Sequence, residues 1–245
     1  MTRRNGAKSI IGALAAVAML ALMSGCGGSS DDKTSSAADD FAKKKPDDIV
    51  ATAKADMGKL DSVHLSGDLT SSGSSISLDL KVTSDGSCSG SFGVGDGTAE
   101  VLGVGGKTWF RPDEAFWRAQ SPDQADAIIA AVGDKYVVDS NGDFSQFCDM
   151  STLLDQLLND PTSDATYTVN GTQDLAGDTV VKVDRASETD GPSTGYVLAD
   201  SPHYLVKIEK TGTDGGTVNF TEFNADVTVE APADDQVIDL SNLGG

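Results

Sequence analysis

Residues 99–111 read "AEVLGVGGKTWFR", and two readings compete for them. The Gly-Gly-Lys-Thr string suggests a phosphate-binding loop, whereas two short apolar runs around a glycine pair suggest a β-hairpin. A phosphate loop requires a glycine five positions ahead of its Gly-Lys pair, a strand before it and a helix after it. Here that position is Val101, and "TWFRPDEAFW" shows no helical face ahead of Pro112. No helix N-terminus is then available to hold a phosphate. Glu100–Val104 and Lys107–Arg111 instead flank Gly105-Gly106, a pair suited to a two-residue turn with positive φ at both positions. The stretch predicts a hairpin and excludes a nucleotide enzyme.

From this hairpin the period-two pattern spreads both ways. Upstream, Val63, Leu65 and Leu69 share one face of "SVHLSGDLT"; Ile76, Leu78, Leu80 and Val82 share one of "SISLDLKVT"; Cys88, Phe92 and Val94 line up in "CSGSFGV". Downstream, "ATYTVNGT", "DTVVKVDR", "GYVLAD", "HYLVKIEKT", "GTVNFTEFN" and "DVTVEAP" read as further strands, with Tyr204, Val206 and Ile208 opposing Leu205, Lys207 and Glu209. No long helix separates them, so they are expected to pair antiparallel.

Three helices punctuate the pattern. "KPDDIVATAKADMGKLDSV" places Ile49, Val50, Ala53, Met57 and Leu60 on one face behind Pro46. "SPDQADAIIAAVG" offers Ser121 as N-cap, Pro122 in the first turn, Ile128, Ile129 and Val132 on one face and Gly133 as the stop. "DMSTLLDQLLNDP" carries Met150, Leu153, Leu154, Leu157 and Leu158 as a stripe ended by Pro161. The expected fold is α+β: a curled antiparallel sheet, or half-barrel, of about ten strands, with an N-terminal helix and two short inserted helices on its concave side.

The N-terminus predicts an address. Arg3, Arg4 and Lys8 precede an apolar run from Ile10 to Met23, and "LMSGC" ends at Cys26. This is a secretory signal over 1–25, too short for a membrane span. It resembles a bacterial lipobox in which Cys26 carries the lipid, although Met23 stands where Leu is usual. Residues 26–45, rich in Gly, Ser, Asp and Lys, read as a flexible tether, and residues 46–245 as one domain. The expected location is the extracytoplasmic face of the cell membrane, held by the lipid anchor.

Setting aside the three basic residues of the signal leaves 15 Lys+Arg against 38 Asp+Glu, a formal charge of −23. Such a surface repels nucleic acid and anionic membrane. Outside the cytoplasm, the two cysteines left after Cys26, namely Cys88 and Cys148, predict one disulfide.

Catalytic material is scarce. "DSNGDFSQFCD" puts Phe144 and Met150 where a calcium loop needs Gly and Glu, so a polar turn is the reading. No G-x-S-x-G elbow and no HExxH occurs, and His64 and His203 lack a coordinating spacing. No catalytic residue, metal ligand or cofactor is assigned, and the protein is not expected to be an enzyme. Trp109, Phe110, Phe116 and Trp117 gather beside the hairpin, either as core or as the rim of a hydrophobic mouth.

The lipobox, the tether and the strand order, with "KLDSVHLSGDL", "AEVLGVGGKTWFRPDEAFW" and "TVNFTEFNADVTVEAPADDQVIDL", resemble actinobacterial LppX/LprG-type cell-envelope lipoproteins of the LolA/LolB-like superfamily. The resemblance implies a half-barrel that binds or carries an amphiphile (a lipid or acyl chain) on its concave face, as a monomer and without catalysis. The alternating faces nominate Leu78, Leu80, Phe92, Ile128, Ile129, Leu154, Leu157, Val206, Ile208 and Phe220 as lining, with Trp109, Phe110 and Trp117 at the mouth. The alternative function is an envelope sensor or assembly module that binds a protein partner through the same sheet. The abundance of small residues (27 Gly) and the cysteine pair depart from the superfamily and point to a smaller or absent cavity.

Overall fold

The computed structural model describes residues 37–71, 73–158, 165–188 and 191–243. The signal, Cys26, the first part of the tether and Pro161 lie outside the described residues. Twelve strands form one open sheet: β1 (Ser62–Ser71), β2 (Ser74–Thr83), β3 (Cys88–Val94), β4 (Gly97–Val104), β5 (Lys107–Pro112), β6 (Tyr136–Val138), β7 (Thr166–Leu175), β8 (Asp178–Ala186), β9 (Ser193–Leu198), β10 (Leu205–Lys210), β11 (Gly216–Thr221) and β12 (Val237–Ile238). Their spatial order is β12-β6-β5-β4-β3-β2-β1-β11-β10-β9-β8-β7. Every pairing is antiparallel except β12 on β6. The architecture is the curled α+β sheet expected, with twelve strands in place of about ten.

The opening stretch forms β4, a turn and β5. Gly105 and Gly106 take φ of 60° and 74°, the turn geometry that only glycine adopts without strain. Gly103 does a different job. A Cβ there would lie 2.4 Å from Cys148 Sγ and 3.1 Å from Cys88 Sγ, so the missing side chain leaves the space in which the Cys88–Cys148 disulfide sits. That bond ties β3 to the segment ahead of the helix carrying Met150.

Five α-helices accompany the sheet: α1 (Ala37–Ala42), α2 (Pro46–Met57), α3 (Glu114–Gln120), α4 (Ala125–Val132) and α5 (Met150–Leu158). Three of these details correct the sequence reading. The tether was expected to reach residue 45, but α1 lies inside it, because Phe41 is 2% exposed and stacks on His203 with ring centroids 3.6 Å apart. Residues 114–120 are helical despite Pro112, because Asp113 caps the turn by accepting from the Phe116 N–H at 2.7 Å. Consequently Ser121 closes α3 instead of opening the next helix, and α4 starts only at Ala125; Gly133 ends it as expected.

A further difference lies near the C-terminus. In "DVTVEAP", Val227 and Val229 are half-buried while Asp226, Thr228 and Glu230 are exposed, yet the segment forms no strand. Alternation reports an extended chain lying on a surface; it cannot report whether a neighbour offers ladder hydrogen bonds.

Two buried clusters lie on the inward face. The larger joins Phe41, Ile49 and Met57 to Leu65, Leu80, Val101, Phe220 and, from α5, Leu153 and Leu154. The smaller joins Phe110 and Val137 to Trp117, Ala125 and Val132. Cross-strand register makes these one face, since Leu65, Leu80, Gly90, Val101, Phe110 and Val137 follow one another across six strands.

Closing a 60-residue separation, the disulfide contributes about 4 kcal/mol in the chain-entropy picture. We expect Gly103→Ala to lose most of that, because the added methyl occupies the sulfur's place. Denaturant melts read alongside thiol alkylation check this. A Gly103→Ala protein with wild-type stability and no alkylatable thiol would contradict it.

Candidate functional site

Strand register places three successive inward rows beneath α2 and α5. The deepest contains Val181 and Val197, then Leu205, and Leu65 between Phe220 and Leu80, all buried. The middle row runs Val169, Val183, Gly195, Ile208, Val218, Gly67, Leu78. The outer row runs Tyr167, Arg185, Ser193, Lys210, Gly216, Leu69, Ile76. The deepest row is filled. The two outer rows are not: between them and the helices lies a cavity of about 660 Å³, within the roughly 300–1,000 Å³ typical of small-molecule sites.

Val50, Ala53, Lys54 and Met57 of α2 and Gln156, Leu157 and Leu158 of α5 roof it; Val183, Gly195, Val197, Leu205, Ile208 and Val218 floor it. Apart from Lys54 and Gln156 of the roof, its polar side chains gather at one end, where the antiparallel strands place the last residues of β8 and β10 beside the first of β7 and β9: Tyr167, Arg185, Ser193 and Lys210, with Asp214 just beyond.

Of the residues nominated from sequence, Leu157 and Ile208 line this cavity. Leu80, Phe92, Leu154 and Phe220 are packed in the larger core and Leu78 packs against it. Phe110 and Trp117 belong to the smaller core, with Ile128 and Ile129 packed against it. Trp109 is 8% exposed and belongs to neither cluster, because its register partner Leu102 is on the outward face, opposite Val101. Phe110, Phe116 and Trp117 therefore fill space beside α3, and none of the four rings borders this cavity. Val206 is displaced by a β-bulge between Leu205 and Lys207. The extra residue lets Leu205 and Ile208 both turn inward, and Leu205 occupies the lining position expected for Val206.

Sequence reasoning missed Val183, Gly195 and Arg185, although "VVKVDR" contains the signal. Val181, Val183 and Arg185 share parity, so an inward valine face implies an inward arginine.

A scan against protein-family models finds no match, nor does a search of curated proteins. Among solved structures, the chain is similar to LprF from Mycobacterium bovis, at 16% identity over 76% of this chain and 96% of that one, with a TM-score of 0.51. It is also similar to the Mycobacterium tuberculosis lipoprotein LppX (14% identity, 76% and 100% covered, TM-score 0.43) and to MucB in the Pseudomonas aeruginosa MucA/MucB complex (18%, 80% and 60% covered, TM-score 0.34). The chain thus shares the fold of LprF. Among the described residues no helix is long and apolar enough to cross a membrane.

The outward face is charged and cross-linked. His64 Nε2 lies 2.8 Å from Asp79, Lys81 donates to Glu222 at 2.6 Å, and Arg111 donates to Glu100. Behind the cavity floor, the Tyr196 hydroxyl donates to Glu209, which also accepts from Lys207. The hydrogen bond to Glu209, then burial, pushes the Tyr196 hydroxyl up to about 12. A raised pKa stabilises the fold fully below the ordinary tyrosine value, and that contribution is lost as pH rises through about 12. Ring NMR of Tyr196 should show ionisation near that value, and Glu209→Gln should bring it down toward the ordinary one. An unchanged midpoint in the variant would contradict the assignment.

Proposed function

We propose that this chain is a membrane-anchored extracytoplasmic lipoprotein that holds the acyl part of an amphiphile in the cavity beneath α2 and α5. One observation carries the reading: a cavity floored by aliphatic side chains and roofed largely by them has most of its polar groups gathered at one end. An acyl chain entering there exchanges water for Val183, Ile208, Val218 and Leu157, at about 25 cal/mol per Å² of apolar surface removed from water. Association and ordering offset part of that gain. The reading also draws on the lipobox ending at Cys26, which would keep the carrier at the membrane where such ligands reside.

The second expectation, a protein partner held by the same sheet, requires an accessible apolar face. The outward face of β1, β2 and β11 carries His64, Asp79, Lys81 and Glu222 in paired contacts, which favours the cavity over that face as the working surface.

Two measurements test the proposal. Replacing Cys26 with Ala should abolish incorporation of labelled fatty acid into the protein in cells. Solvent extraction of purified protein, which leaves covalent acyl chains behind, should release a lipid detectable by mass spectrometry. Gly195→Leu and Ile208→Trp, which fill the floor, should lower lipid occupancy about tenfold or more while unfolding stays cooperative. A wild-type protein that yields no lipid and takes up no fluorescent acyl probe would overturn the carrier reading.

A further inference from the structure

The cavity mouth inverts the charge balance of the chain. Overall the sequence holds 18 Lys+Arg against 38 Asp+Glu, but the lining holds three cations, Lys54, Arg185 and Lys210, and one carboxylate, Asp214. The cations are half-buried and Asp214 is exposed. Arg185 and Lys210 occupy inward positions of β8 and β10, in register with the same residue, Ser193. Neighbouring charges in these strands, Lys182, Asp184, Lys207 and Glu209, have the opposite parity and point outward. Lys54 reaches the same cavity from α2.

We infer that the cavity selects an amphiphile with an anionic headgroup, held at the mouth by Arg185 and Lys210, with Lys54 of the α2 roof adding positive charge to the lining. This inference rests on the carrier reading and specifies its ligand. A tail among the aliphatic residues of the middle row leaves the headgroup at the outer row, one register step away, where both cations stand. Arg185 presents a planar fork that matches phosphate or carboxylate oxygens, Lys210 and Lys54 add compact charge, and the Ser193 and Tyr167 hydroxyls supply neutral donors at the same level. Each of the three cations already takes part in an interaction of its own, as does Asp214, so the headgroup exchanges partners at a preorganised site. Elsewhere the chain's negative field repels an anion; a local positive mouth reverses that at one place. Partial burial makes each charge contact stronger than an exposed surface pair.

The test compares three fluorescent polyene probes of one chain length, ending in a carboxylate, a methyl ester or a primary amine, against the purified protein. The carboxylate should bind about tenfold more tightly than the ester and the amine, as one good charge-assisted contact allows. In Arg185→Gln/Lys210→Gln the advantage should fall to near one through loss of carboxylate affinity, while a cooperative melt shows that the cavity still folds. Equal binding of acid and ester by the wild type, or an advantage that survives in the double variant, would overturn the headgroup assignment and leave the carrier reading standing. Failure of all three probes to bind would sink both.

Discussion

At Gly67, Gly90 and Gly216 neighbouring strands approach so closely that a Cβ would stand 2.0, 2.0 and 2.2 Å from a carbonyl oxygen of the next strand. Gly90 and Gly216 also hold φ of 151° and 154°, a region that disfavours side chains. All three lie at inward positions of β1, β3 and β11, where the sheet passes over the cores. A sheet of this many strands must coil or split, and glycine at these contacts permits strands to kink without a steric clash. The concave face, and with it everything α2 and α5 cover, depends on this.

Coiling creates the concavity; side-chain size decides what becomes of it. The chain has only 2 Trp, 4 Tyr and 8 Phe, and most of its rings serve one half of the sheet. Phe92 meets Phe116 edge-on at 5.7 Å and stacks on Phe147 at 4.8 Å, and Phe110 stacks on Phe144 at 4.2 Å. The Cys88–Cys148 bond and Gly103 lie in that half as well. In the middle and outer rows of β8 to β11 the uncharged inward positions are instead Val183, Gly195, Ser193, Ile208, Val218 and Gly216, too small to fill the space beneath the helices. One half is filled and cross-linked, and the other is left open between the same two layers.

Much of this was legible in sequence, and what was not has specific causes. Period-two runs identified β1 to β5 and β7 to β11, and the glycine pair identified the hairpin, because each is a local signal. Four features depended on information beyond a single segment. The bulge at Val206 adds one residue to one strand, which no alternation count reveals. The α1 helix depends on Phe41 finding His203, 162 positions away in the chain. The α3 helix closes at Ser121 and α4 begins only at Ala125, so the proline of "SPDQ" looked like a start when the chain was still turning. The lining residues were sought among large hydrophobes, and those packed; a cavity is bordered by the positions where side chains are small.

The same parity argument links the filled floor to the charged mouth. Once β8 is registered on β9 by Val181 and Val183, Arg185 has no choice of side, and once the bulge turns Ile208 inward, Lys210 follows it two residues later. Strict alternation through Leu205 would put Lys207 and Glu209 on its face, and strict alternation through Ile208 would turn Leu205 outward. The bulge lets Leu205, Ile208 and Lys210 all face inward while the Lys207–Glu209 pair faces outward, where Tyr196 receives it, and leaves the inward face aliphatic up to a cationic edge. Curvature from glycine, depth from small side chains and polarity from one bulge are separate devices, and together they give a greasy trough whose only strongly charged end is positive.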